Sequence, residues 1–389
     1  MRILVLAGDA DGNLGDQAIR SATIAAINCI LPTAEITLLS RRPDTVAGRN
    51  LRLLPRGPRA LPVLLAAVSR ADLVLIGGGG LFQDDDSLVK MPYWSVLTLL
   101  SRLGGGRVAG YGLGVGPLDA SVSRIAARLA LASMECVTVR DETAAELVER
   151  LTSRKAEVLP DPALLLVPAA RDRARDFLAA AGVPVDGRPL IGVACRPWWP
   201  PARRIVPRKL AWALGLPLRR DEKGRARFTA RFAELLGRLA RARDAFVVFL
   251  PSYSATHEGD VAFARDLAAR IPGVPHAHLG VADARLYAAL CREVDFLLAG
   301  RMHPAILATT VGTPAFGLAY NPKFAGFFEL IGHPERTLDV RRMVEEEFDP
   351  EPVLARLFAA WEQGAPDPER LAALQRRILE RTRTLLVAA

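Results

Sequence analysis

Long apolar runs are missing from this chain. No stretch reaches the about 20 residues that a membrane-spanning helix requires, which excludes such a helix. The opening MRILVLAGDADGN turns polar too early for a secretory signal and reads as a strand followed by a turn. Cysteine is scarce: Cys29, Cys136, Cys195 and Cys291 are scattered through 389 residues, with the spacing of neither a metal site nor a disulfide framework. Reduced, buried thiols in a cytoplasmic protein are the expectation. Carboxylates do not cluster with histidine at ligand spacing, so no metal is expected. Tandem repeats and low-complexity tracts are absent as well.

Half of the chain is hydrophobic, enough for a large core, and its length suggests two domains of the usual about 100 to 200 residues. In the first half RILVLAG, EITLLS, DLVLIGG, RVAGYGLG and CVTVRD alternate with helical segments such as Leu14 to Cys29 and Ser121 to Ala132. That alternation predicts a parallel sheet with right-handed crossovers. An Ala- and Arg-rich helical passage from Pro168 to Val183, followed by Pro184-Val185-Asp186-Gly187, reads as a connector. The second half repeats the alternation with PLIGVAC, AFVVFL, VDFLLAG and TPAFGLA, and Arg370 to Val387 reads as a closing helix. The predicted organisation is α/β, with two Rossmann-like domains facing a central cleft: residues 1–167, a connector 168–188, and residues 189–389 including the closing helix.

The net charge of +9 is unevenly spread. Between Arg196 and Arg231 eleven Lys or Arg face only Asp221 and Glu222, interleaved with Trp198, Trp199, Trp212 and several leucines. Such a mixture suits an anionic membrane surface, and a lid over substrate or an ordinary solvated loop are the alternatives. No nucleic-acid motif accompanies the charges, so no nucleic-acid partner is expected.

The stretch Val294 to Gly332 carries the chemistry. VDFLLAG reads as a buried parallel strand, after which Arg301 and His303 open a helix that stops at Gly312; TPAFGLA is the next strand, and Tyr320-Asn321-Pro322-Lys323 the next turn. Ligands of open α/β sheets bind beyond the carboxyl ends of strands, so Arg301, His303 and Lys323 are predicted to face one crevice. Two fixed cations with an imidazole suit an anionic substrate that needs proton transfer. Arg140 after CVTVR and Arg196 after LIGVAC sit at further strand ends. Gly77 to Gly80 reads as a turn whose backbone N–H groups can approach a phosphate, or equally as a tight turn packed on a neighbouring strand. Asn13 and Asp16 open the first helix, where capping and substrate contact are both open readings. His257 and Asp260 lie at another strand end.

Gly300-Arg301-Met302-His303-Pro304-Ala305-Ile306, Gly312-Thr313-Pro314 and Tyr320-Asn321-Pro322-Lys323 resemble the signature of the polysaccharide pyruvyl transferase family. GDADGNLGDQAI (Gly8 to Ile19), DLVLIGGGGLFQDD (Asp72 to Asp85), YGLGVGP (Tyr111 to Pro117), VTVRDETAAELV (Val137 to Val148) and LPDPALLL (Leu159 to Leu166) stand in the expected order, so the resemblance spans most of residues 1–335. It implies an architecture like that of GT-B glycosyltransferases. It further implies transfer of a pyruvyl group from phosphoenolpyruvate to two hydroxyls of a sugar in a cell-wall or exopolysaccharide precursor, giving a cyclic ketal and phosphate, with no cofactor beyond that co-substrate. His303 is then the acid/base, and Arg140 and Lys323 hold the donor's carboxylate and phosphate. Arg196 is a secondary candidate, and Arg301 either joins the anion site or holds the helix entrance through carbonyl contacts. Asn13 and Asp16 are the acceptor-side candidates. An acceptor that is often lipid-linked implies a cytoplasmic protein with peripheral contact at the inner membrane face through 196–231. The competing readings are a glycosyltransferase using a nucleotide-sugar donor, with Glu329 as ribose-binding acid, and a non-catalytic sugar-binding protein.

Overall fold

The computed structural model describes residues 1–8, 12–40, 48–55, 58–84, 87–198, 221–253, 259–281 and 283–387. His257, Asp85 of the motif Asp72 to Asp85, and residues 199–220 of the basic segment therefore lie outside the described residues.

Two parallel sheets organise the chain. The first contains β1 (Arg2–Leu6), β2 (Glu35–Leu39), β3 (Leu51–Leu54), β4 (Leu73–Phe82), β5 (Arg107–Val115), β6 (Cys136–Val139) and β7 (Glu157–Val158), in the order β3-β2-β1-β4-β5-β6-β7. The second contains β8 (Leu190–Ala194), β9 (Phe246–Phe249), β10 (His276–His278), β11 (Phe296–Ala299), β12 (Ala315–Ala319) and β13 (Thr337–Asp339), ordered β10-β9-β8-β11-β12-β13. Every strand pairing is parallel. In each sheet the order reverses beside its first strand, between β1 and β4 and between β8 and β11. Those are the switch points where diverging loops leave a crevice.

The strand sequences explain the layering. Successive side chains point to opposite faces, and strands covered by helices on both faces must be apolar throughout. In β1, Leu4 and Leu6 enter the far layer of the first sheet, and Ile3 and Val5 the opposite layer. That second layer continues without a break into the other sheet, where Val248, Leu297 and Ala299 join it. The two halves thus share one apolar core beneath the crevice. The connector helix Arg171–Ala180 runs between them and contributes Ala174 and Leu178 to this core.

Three features differ from the sequence reading. The closing helix Pro368–Val387, grouped by chain order with the second half, packs against the first. Its Leu374, Ile378, Leu385 and Leu386 complete the shared core, and the Tyr111 hydroxyl donates to Thr382 Oγ1 at 2.6 Å while Thr382 donates to Ile378 O. Burial lifts the Tyr111 phenol to about 12, which keeps it a neutral donor. Gly77 to Gly80 are part of β4 rather than a strand-to-helix turn: a Cβ at Gly77 would lie 1.9 Å from Tyr111 O on β5, and Gly78 and Gly79 take φ of 72° and 95°, so the strand continues but its register shifts. Of the thiols, Cys195 and Cys291 are buried, but Cys29 is exposed on its helix and Cys136 half-buried.

Candidate functional site

The crevice is built from both halves. From the first, Asn13 caps the helix Leu14–Ile30: its Oδ1 accepts from Gly15 N at 3.0 Å, and its Nδ2 donates to Asp16 Oδ2 at 2.9 Å. The Asn13 backbone also forms an antiparallel bridge to Tyr253, and Leu14 N donates to Ser252 O at 3.2 Å. The loop after β1 is thereby fastened to the loop after β9. The Asp16 carboxylate lies against two glycines at the switch point, since a Cβ on Gly8 would come within 2.7 Å of it and one on Gly79 within 3.1 Å.

Deeper in the crevice Arg140, Asp161 and His303 converge. Arg140 follows β6, with its guanidinium against Gly114 at the end of β5, where a Cβ would lie 2.9 Å from Nη2. Asp161 follows β7 and caps the short turn Pro162–Leu165 through an Oδ1 bond from Ala163 N at 3.0 Å. Its Oδ2 stands 3.6 Å from both Arg140 Nη1 and His303 Nε2. Those are charge contacts longer than hydrogen bonds. Arg140 Nε, Asp161 Oδ2 and His303 Nε2 are accordingly buried polar atoms without a hydrogen-bond partner among the described residues. Burial alone pushes the Asp161 carboxyl up. His303, Arg140 and the Ala163 N–H outweigh it and hold Asp161 below its ordinary value of 3.8. His303 enters from the second half, in the first turn of the helix Met302–Thr310, with its ring on Gly15; a Cβ there would be 2.2 Å from Nδ1. The side chain is 18% exposed while Nε2 is buried, so solvent reaches the ring elsewhere.

Lys323 lies in the first turn of the helix Pro322–Leu330, buried, with Nζ donating to Gln83 Oε1. It stands over Gly80, where a Cβ would be 3.0 Å from Nζ. A Cβ at Gly114 would lie 2.8 Å from Gly79 O, so Arg140, Lys323 and Asp16 ring one glycine floor formed by the ends of β4 and β5. Arg196 lies over the Tyr320 ring, 4.7 Å from its centroid, with Nε 3.5 Å from Pro197 O.

Arg301 takes a different position. Its Nε and Nη2 donate to both Asp260 oxygens at 2.7 and 2.6 Å, and the guanidinium lies 5.1 Å from the Tyr253 centroid. With Asp260 0% and Arg301 14% exposed, this is a buried bidentate pair at the helix entrance. A carboxylate takes the place of the expected carbonyl contacts.

The structure therefore places Asp16, Arg140, His303 and Lys323 around one crevice, sets Asn13 and Arg196 at its rim, and turns Arg301 to Asp260. Glu329 is exposed near the far end of the helix that carries Lys323. Asp161, Gln83 and Tyr253 went unassigned in the sequence. For Asp161 the signal was available: Asp-Pro directly after a short apolar segment is a capping pattern. Among the described residues no His, Cys, Asp and Glu group has the arrangement of a metal site.

A model of the polysaccharide pyruvyl transferase family matches residues 13–322. No curated protein matches the sequence. Among solved structures the chain is similar to UDP-GlcNAc 2-epimerase from Methanocaldococcus jannaschii, at 11% identity over 100% of both chains and a TM-score of 0.60. It is similar to sucrose-phosphate synthase from Thermosynechococcus elongatus, at 13% identity over 100% of both chains and a TM-score of 0.54. With ADP-heptose lps heptosyltransferase II of E. coli it shares 13% identity over 93% of this chain and 99% of that one, with a TM-score of 0.50. At such identities the likeness is one of fold: two Rossmann-like halves in a GT-B-like arrangement.

Proposed function

The chain belongs to the polysaccharide pyruvyl transferase family, and from that premise we propose that it moves the pyruvyl group of phosphoenolpyruvate onto two hydroxyls of one sugar in a saccharide precursor, closing a cyclic ketal and releasing phosphate. The observation that carries this reading is the Arg140, Asp161 and His303 cluster, in which Arg140 Nε, Asp161 Oδ2 and His303 Nε2 are buried without hydrogen bonds among the described residues, beside the glycine floor that Lys323 also borders. An anion with a proton to exchange fits such a place.

The chemistry assigns the roles. The donor's methylene carbon takes a proton, the adjacent carbon becomes electrophilic, and a first sugar hydroxyl attacks it while losing its own proton. The bond to the phosphate oxygen then breaks, and the second hydroxyl attacks the same carbon. One hydroxyl proton ends on the new methyl group and the other leaves with phosphate. His303 exchanges these protons at Nδ1 while Asp161, ionised, faces Nε2 and stabilises the charged ring. Arg140 and Lys323 hold the donor's carboxylate and phosphate, with Arg196 as a further cation at the rim. Asn13 and Asp16, already hydrogen-bonded to each other, receive the acceptor's hydroxyls. The reaction draws on no cofactor beyond the phosphoenolpyruvate co-substrate, and the acceptor is a saccharide, free or lipid-linked, of a cell-wall or exopolysaccharide precursor, met at the cytoplasmic membrane face.

Calorimetry tests this with phosphoenolpyruvate, beside UDP-sugars, on wild type and Lys323→Ala. Saturable donor binding that Lys323→Ala weakens at least tenfold is expected. Saturable UDP-sugar binding without phosphoenolpyruvate binding overturns the reading in favour of glycosyl transfer.

A further inference from the structure

Exposed apolar side chains are not spread evenly over this molecule. Among the described residues, ten of the fourteen exposed large hydrophobic side chains lie on, or immediately before, three helices: Leu61–Arg70, Lys90–Leu103 and Ser121–Ser133. These helices pack side by side over the far layer of the first sheet, where Leu64, Met91, Trp94, Leu97 and Leu131 face the strands. Their outer faces are also apolar, with Val96 55% and Ile125 62% exposed. On the third helix Val122, Ile125 and Leu129 recur at helical spacing, a stripe about 10 Å long at 1.5 Å per residue. Exposed apolar side chains gathered on adjacent helices in this way mark a binding face.

Charge identifies the partner. None of the three helices contains an Asp or Glu, and they carry Arg70, Lys90, Arg102, Arg124 and Arg128. The next helix, Glu142–Thr152, sets the limit of the face with exposed Glu142, Glu146 and Glu149. An apolar centre on helices whose own charges are all cationic, with acids only at their ends in Asp72, Asp119 and Glu135, complements an anionic lipid surface, into which apolar side chains insert while Lys and Arg meet the headgroups. The helices starting at Lys90 and Ser121 follow the ends of β4 and β5, so the face begins at the sheet edge that floors the crevice.

The described parts of the basic segment 196–231 are tied to protein instead. Trp198 is buried 6.1 Å from Phe228, Arg227 pairs with Glu346 at 3.4 Å, and Arg231 donates to Met343 O at 3.0 Å. We propose that the three-helix face of the first half docks this protein on an anionic bilayer. This stands independently of the pyruvyl-transfer reading, because no residue of the crevice takes part.

Co-sedimentation of the full chain with phosphatidylcholine vesicles, with and without phosphatidylglycerol, tests it. Sedimentation that depends on phosphatidylglycerol is expected. Val96→Glu with Ile125→Glu, and separately Arg102→Glu with Arg128→Glu, are each expected to weaken it about tenfold or more while the unfolding temperature holds. All four positions are exposed, which keeps folding out of the comparison. Wild type that stays in solution with phosphatidylglycerol vesicles overturns the proposal. So does binding that survives both pairs of changes but is lost in Arg203→Glu with Arg204→Glu. Light scattering that shows a dimer, dissociated by Val96→Glu with Ile125→Glu while vesicle binding is unchanged, assigns the face to a second copy and overturns it too.

Discussion

Arg140 and Arg301 both follow strands that border the crevice, and both stand beside a carboxylate, Arg140 buried and Arg301 partly exposed. Arg301 makes two short bonds to Asp260 and lies over Tyr253, so its donors are directed inward. Arg140 stands 3.6 Å from an Asp161 oxygen that it shares at the same distance with His303, and its Nε has no hydrogen-bond partner among the described residues. A protein interior rarely leaves polar atoms short of partners, because each unmet group costs about 1–3 kcal/mol. The fully bonded pair fixes the entrance of the helix that bears His303. In the proposed function, the loosely bonded cluster is the one that takes a ligand.

Damage to the two places is expected to leave different signatures. The largest effect is expected at His303: His303→Ala lowers turnover about 10²- to 10⁴-fold, read as phosphate release, with the denaturant midpoint close to wild type. Asp260→Ala is expected to show the reverse emphasis. It removes both carboxylate bonds from the largely buried Arg301 guanidinium, and equilibrium unfolding should register a loss of about 3–5 kcal/mol. Equal stability in the two variants would abolish the distinction. Gly15→Ala sharpens it: the added methyl meets the His303 ring, so activity falls while overpacking costs about 1–3 kcal/mol. An alanine variant with full activity would show that the ring position does not matter.

The smallest expected effect is a pH dependence. The Asp161 carboxyl is depressed in the folded state, so its ionisation contributes stability above the ordinary value of 3.8, and that contribution is lost as pH falls through the lower folded value. The stability gap between wild type and Asp161→Asn should be full at neutral pH and narrow below pH 3.8, as followed by urea midpoints. A gap that stays constant down to acid would mean that Asp161 is not held as a carboxylate.

The interior of each sheet was legible in the sequence and its borders were not. RILVLAG, EITLLS, DLVLIGG, RVAGYGLG and CVTVRD are β1, β2, β4, β5 and β6, and the four strands read in the second half are β8, β9, β11 and β12. All nine are paired on both sides. The four that were missed, β3, β7, β10 and β13, are the edge strands, and they span only four, two, three and three residues. Edge strands are kept short and partly polar to prevent pairing between molecules, which removes the apolar run that reveals a strand. The imidazole of His278, stacked 4.8 Å from Phe249, shows how little β10 resembles a core strand in sequence. Residues at the site divide in the same way. Arg140, His303 and Lys323 stand directly after interior strands and could be found by position. Asp161 follows the two-residue β7, so only its Asp-Pro capping pattern, and no apolar strand run of ordinary length, pointed to it. The Arg301 pairing required knowing that the helix Asp260–Ala269 begins beside the one that bears His303, a contact no local pattern encodes.

The return of the helix Pro368–Val387 to the first half sets an order of events during synthesis. Domains usually fold in turn as they leave the ribosome. Here Leu374, Ile378, Leu385 and Leu386 fill the same core as Ile3, Val5 and Ile19, and they are translated only after the whole second sheet. The first half therefore waits, with that layer of its core incomplete, until the second is finished. The nascent chain closes like a drawstring bag, pulled shut from its far end.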